Sequence, residues 1–308
     1  VSFLAAFIMR GRMQAILVAS LLTWVSPFIH PLIKPFVIIV SFATIALVTL
    51  RRGALEGFYI LFASTAVAAL GALLIGGYDF FVVMLLSCLI MWLPVWLIAI
   101  VLREGRRLAW AIECAVFIAV LGVVGFYIYA TDPAAIWQEV FAPFLDILPA
   151  EVPVEEIRNQ VNIGSHYMTG VFAASTLFAV LFSIFLGRWW QSVLYNPNGF
   201  KDEFLSIRTG YRLAIASILV IAVAKFTSGL FAEMAWNITI LLFVLYLFMG
   251  TSVLHTVFSS MKQSKYLVPT FYITMFLIPH AMLPVALVGL FDAWFNLRKI
   301  PSASSSKG

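Results

Sequence analysis

The stretch FFVVMLLSCLIMWLPVWLIAIVL, Phe80 to Leu102, contains no charged side chain and runs straight into REGRR, Arg103 to Arg107. About 20 apolar residues wound as an α-helix cross the roughly 30 Å hydrocarbon layer of a bilayer, because each residue rises 1.5 Å. The run therefore reads as a membrane span whose basic end is held on the cytoplasmic side. Leu55 to Leu74, Leu108 to Tyr129, His166 to Leu186, Tyr211 to Phe231 and Met234 to Leu254 read the same way. Composition agrees: the chain is 63% hydrophobic and only 11% charged, with a mean hydropathy of +1.04. So little charge cannot cover a water-facing surface, so lipid is the expected solvent.

The ends are less regular. Met13 to Phe28 and Phe36 to Leu50 are separated by His30, Pro31 and Pro35, where proline stops a helix, so a tight helical hairpin is expected. Tyr266 to Ile300 is too long for one comfortable span and carries Pro279, His280 and Pro284 in its middle. The bases Arg298 and Lys299 at its end favour a second hairpin over a kinked helix. The expected fold is all-α: a polytopic transmembrane bundle of about eight to ten helices, amino terminus cytoplasmic, with Pro-broken hairpins at both ends. One membrane domain covers 1–300, and a serine-rich disordered tail covers 301–308. The opening imitates a signal peptide, but prolines replace a small-residue cleavage site, so it is expected to be retained.

The formal net charge of +5 raises the question of nucleic acid, but the bases fall in short clusters between apolar runs, which is topology rather than a binding patch. Alternation places Arg51, Arg52, Arg103 to Arg107, Arg188 to Arg212, Lys262 and Lys265 inside a bacterial inner (cytoplasmic) membrane. It places the acidic segment 131–164 outside, where Ile136, Val140, Phe144 and Ile147, then Val154, Ile157 and Val161, predict two short amphipathic helices. These form either a strut packed on the bundle or a gating lid. Cys88 and Cys114 lie in apolar runs and read as small buried residues.

The most distinctive segment is the cytoplasmic interfacial loop 187–210. Arg188, Trp189, Trp190, Tyr195, Asn196, Pro197, Gly199 and Phe200 suit the headgroup layer, with a turn at Asn196 to Gly199. Together with FIMRGRMQA (Phe7 to Ala15) and GLFDAWFNLR (Gly289 to Arg298), this loop resembles the YybS-like family of uncharacterised bacterial membrane proteins. Asn198 stands where a second glycine is expected, and asparagine also tolerates the left-handed turn. The resemblance implies no established activity, and it suggests a distant fold relationship to the substrate-binding subunits of energy-coupling-factor transporters. In those subunits an Ala-xxx-Ala face meets a membrane partner; here Ala15 with Ala19, and Ser64 with Ala68 and Ala72, suit either such a partner or packing inside the bundle.

Ionisable groups within spans are costly, so they are the candidates for a ligand site. Glu113 lies about 9 Å inside its helix, and His255 lies near that depth, so the two can meet; Glu113 can instead face Arg106, Arg107 or interfacial water. His280 sits in a proline-broken helix that can line a small-molecule cavity. No metal-ligand spacing, phosphate-binding loop or catalytic signature is present, so neither a cofactor nor a catalytic residue is expected. The leading expectation is transport-related binding of an unidentified small molecule, with the lipid bilayer and membrane partner subunits as partners. The alternatives are a scaffold or assembly protein acting through its cytoplasmic loop, and a lipid-modifying enzyme.

Overall fold

The computed structural model describes residues 2–147, 149 and 153–299, and no strand occurs among them. The expected disordered tail 301–308 lies outside the described residues. In chain order the helices are α1 (Ser2–Arg10), α2 (Arg12–Val25), α3 (Lys34–Arg52), α4 (Ala54–Gly105), α5 (Leu108–Tyr129), α6 (Pro133–Asp146), α7 (Val154–Tyr195), α8 (Gly199–Leu205), α9 (Tyr211–Phe226), α10 (Leu230–Ser259), α11 (Ser264–Leu277) and α12 (Met282–Phe295). Single 3-10 turns stand at Ser26–Phe28, Pro279–Ala281 and Leu297–Lys299.

Among the described residues α3, α4, α5, α7 and α10 are long and apolar enough to cross a membrane. The pair α11 and α12, bent by 117° at the Pro279 turn, passes the same test together and makes a sixth candidate. The structure thus gives five or six candidate spans where about eight to ten are expected. Part of the gap lies in α4, whose 52 residues would rise about 78 Å, far beyond one bilayer. Gly77 interrupts it at φ 73°, ψ −163°, a backbone conformation open essentially to glycine alone. The two predicted spans Leu55 to Leu74 and Phe80 to Leu102 lie on either side of that break. The rest lies in α2 and α9, whose 14 and 16 residues rise only about 21 and 24 Å.

Three boundaries differ from the reading of the sequence. The predicted span Tyr211 to Phe231 stops at Phe226, because Gly229 at φ 70° turns the chain into α10. Val154 to Val161 is no separate short helix but the beginning of the 42-residue α7, since nothing between Val154 and Tyr195 breaks the helix. The interfacial loop 187–210 is likewise helical up to Tyr195, turns at Asn198 (φ 70°) and forms α8.

The chain forms two compact units. Unit 1 comprises the chain up to Ala115 with Phe178–Ile207; unit 2 comprises Val116–Leu177 with the chain from Arg208 onward. In unit 1, α2 packs on α3 and α4. Ala15, Ala19, Ser64, Ala68 and Ala72 are all buried, and the Ser41 hydroxyl donates to the Ala19 carbonyl at 2.9 Å. Gly187 lets α7 lie on α3, where a Cβ would stand 3.1 Å from the Leu47 nitrogen. Apolar burial cannot drive one helix onto another in lipid, so close backbone approach and hydrogen bonds must do so.

In unit 2, α10 packs against α9, α11 and α12. A Cβ on Gly289 would lie 2.1 Å from the Tyr246 carbonyl oxygen and 2.5 Å from the Gly250 nitrogen, so these two helices touch through bare backbone. Helix α6 starts at an Asp132 cap, whose Oδ1 accepts from the Ala135 amide at 3.0 Å. It is tied to α7 by Trp137 Nε1 donating to Thr169 Oγ1 at 2.8 Å and Gln138 Nε2 donating to Asn162 Oδ1 at 2.6 Å. These bonds fasten α6 to α7.

Candidate functional site

The carboxyl ends of α3, α4 and α7 converge with α8 in unit 1 around a cavity of about 430 Å³. Its walls carry Arg51, Arg103, Arg106 and Arg188 against Glu104 and Glu203, with Gln191, Leu50 and Leu102 completing them. Apolar helices that end at a membrane surface acquire arginines there for two local reasons. The last carbonyls of a helix lack partners and form the negative end of its dipole, which cations neutralise, and long cationic side chains reach water along their apolar stems.

The four arginines are not equivalent. Arg103 donates from Nη1 to the Leu50 carbonyl at 2.9 Å and so caps α3, while lying 3.5 Å from the Glu104 carboxylate. Arg188 forms a two-pronged ion pair with Glu203, with Nε to Oε2 at 2.8 Å, and also donates to Gln191, which in turn donates to the Leu50 carbonyl at 3.2 Å. The Arg51 side chain makes no hydrogen bond among the described residues; its guanidinium lies 3.9 Å from the centroid of the Tyr195 ring, a cation-π contact that leaves its N–H groups unspent. Arg106, in the left-handed conformation that ends α4, makes no side-chain hydrogen bond among the described residues. Two arginines thus hold the walls and two present open donors, with positive charge in excess by two.

The other loop residues divide between inside and outside. Trp190 is buried, 2% exposed, among Ile8, Ala15, Ala43, Leu47 and Ile60, and its Nε1 has no hydrogen-bond partner among the described residues. Trp189 is partly exposed and lines an apolar groove of about 380 Å³ with Phe36, Ile39, Phe182, Phe185 and Phe200. The Ser192 hydroxyl donates to the Asn196 carbonyl at 2.8 Å and accepts from the Phe200 amide at 3.3 Å, while Pro197 is exposed in the turn. The Gly199 amide donates to the Asn196 carbonyl at 3.1 Å.

The three residues expected to line a ligand site have the following surroundings. Glu113, half-buried in unit 1, makes no ion pair or hydrogen bond among the described residues, with Arg106 and Arg107 included. His255 belongs to unit 2, where its Nδ1 meets the Tyr272 hydroxyl at 2.8 Å. His280 is exposed in the turn between α11 and α12 and lines none of the cavities described.

A second polar cluster, in unit 2, escaped the reading of the sequence. Tyr127 of α5 donates to Glu233 Oε1 at 2.8 Å, and His166 Nδ1 of α7 meets Glu233 Oε2 at 2.6 Å. Fully buried Asn237, one turn along α10, donates to the Tyr127 oxygen at 2.9 Å and the His166 carbonyl at 2.7 Å, and accepts from the Gly170 amide. Farther along unit 2, Asp292 is 1% exposed between Arg208 and Arg298, and its Oδ1 accepts from the Leu297 amide at 2.8 Å, closing α12. Burial pushes the Arg298 guanidinium below its ordinary pKa, against the opposing pull of Asp292. Comparison of the chain with protein families, curated proteins and solved structures finds no match.

Proposed function

We propose that this chain is a multi-pass protein of the bacterial inner membrane that binds a small anionic solute in the arginine-lined cavity of unit 1, as part of a transport process. One observation carries the reading: four arginines and two carboxylates wall a single space large enough for a small organic molecule. The proposed orientation keeps the amino terminus cytoplasmic. The count of about eight to ten crossings takes α4 as two that meet at Gly77, and adds α2, α9 and the bent pair. Strict alternation assigns the ends of α3, α4 and α7 at the cavity to one face, and the meeting of those ends supports it. Membership of the YybS-like family belongs to the same proposal and rests on the three motifs.

The scaffold alternative needs a loop with unspent recognition groups. Arg188 is paired with Glu203, Trp190 is buried and Phe200 packs on Phe185, all of which speaks for internal use of that segment. A thermal-shift series on the detergent-purified protein tests the proposal, with inorganic and organic anions at constant ionic strength. At least one anion should raise the melting temperature saturably. If every anion acts like ionic-strength-matched chloride, the proposal is wrong.

A further inference from the structure

We infer that the solute carries a phosphate group, and that Arg51 and Arg106 are the residues that grip it. The inference rests on the anion-binding reading and narrows it. Arg103 and Arg188 spend their donors on the Leu50 carbonyl, Gln191 and Glu203, whereas the side chains of Arg51 and Arg106 make no hydrogen bond among the described residues. One guanidinium fork engages both oxygens of a carboxylate and balances its single negative charge, so two open forks on one cavity carry more positive charge than a carboxylate brings. A phosphate monoester offers three terminal oxygens and about two negative charges, matching two forks and an excess of two positive charges.

The stacking of Arg51 on Tyr195 fixes the plane of its fork beforehand, which lowers the entropy lost on binding. A volume of about 430 Å³ leaves space beyond the phosphate itself, and apart from Leu50 and Leu102 the walls are polar. That lining suits a soluble phosphorylated solute rather than a lipid, whose chains would need an apolar wall.

The test uses the full chain in detergent, titrated calorimetrically with inorganic phosphate, glycerol 3-phosphate, citrate and acetate at constant ionic strength. A further arm measures binding to phosphatidylglycerol vesicles against phosphatidylcholine vesicles. Inorganic phosphate and glycerol 3-phosphate should bind, and Arg51→Ala and Arg106→Ala should each weaken them by about tenfold or more. Arg10→Ala, outside the cavity, should not change them. Both arginines are exposed, so the variants should remain folded and monodisperse without ligand. Acetate or citrate binding as tightly as glycerol 3-phosphate overturns the phosphate assignment while leaving anion binding intact. Phosphate binding unchanged in both variants overturns the assignment of the two arginines. Binding to phosphatidylglycerol vesicles without binding of the free phosphates overturns the soluble source. No binding by any probe overturns the anion-binding reading itself.

Discussion

The cluster around Glu233 in unit 2 and the cavity around Arg51 in unit 1 both gather polar side chains from the ends of apolar helices, and they use them in opposite ways. In the first, each carboxylate oxygen of Glu233 has its own partner and the Asn237 amide is spent at both ends. In the second, two guanidinium groups face an open volume. A fully satisfied network rigidifies, whereas unspent donors on a cavity wall are stabilised further only when something enters. The first therefore reads as a fastening between α5, α7 and α10, and the second as a place for a ligand.

The comparison can be broken in unit 2 first. Gly289→Ala forces Cβ into the backbone of α10, so α12 must move away, and the loss should reach about 3 kcal/mol or more. It would show as a collapse of monodisperse material in detergent chromatography; a normal profile would mean that α10 and α12 do not touch as described. Asn237→Leu leaves the Gly170 amide without its acceptor and should cost about 2 kcal/mol. A reversible denaturation curve measures this, and an unchanged midpoint would remove the distinction between the two regions.

Smaller effects sharpen it. Trp190→Phe deletes a buried N–H with no partner, so its midpoint should stay within about 1 kcal/mol of the parent or rise. A drop of several degrees would reveal a partner for that nitrogen. Glu203→Gln weakens the hold on Arg188 and removes one negative charge from the cavity, so anion affinity should increase about threefold. Weaker binding would mean that Glu203 positions the site rather than balancing its charge.

The spans were legible because an apolar run of helical length has few other destinations. Gly77 and the prolines at 279 and 284 lie where the runs were divided, since positive φ and a missing N–H act locally. The length of α7 was not legible: the aromatics and bases from Gly187 to Tyr195 have the composition of an interfacial loop, and only the absence of a breaker marks them as helix. Asn198 was readable as a left-handed turn for the same local reason as Gly77.

Sites were harder. Arg51, Arg103 and Arg188 stand far apart in sequence, and each alone is explained by orientation in the membrane; their convergence depends on which helix ends pack together. Glu113 and His255 drew attention through depth along the chain, but depth does not say which face of a helix a side chain occupies. Glu233 and Asn237, one turn apart at the start of α10, carried a signal of the right kind. Their partners Tyr127 and His166 lie at the end and the start of other apolar runs, where polar residues are ordinary.

The account stands most directly on the accessibility of the cavity. Glu104 lines it and is exposed, so a single cysteine placed by Glu104→Cys, with Cys88 and Cys114 replaced by alanine, reports on its surroundings. A membrane-impermeant maleimide should label it in inside-out vesicles and not in right-side-out ones, and glycerol 3-phosphate should slow the labelling. Labelling from the outer side, or a rate that no anion changes, would contradict a cytoplasmic anion site.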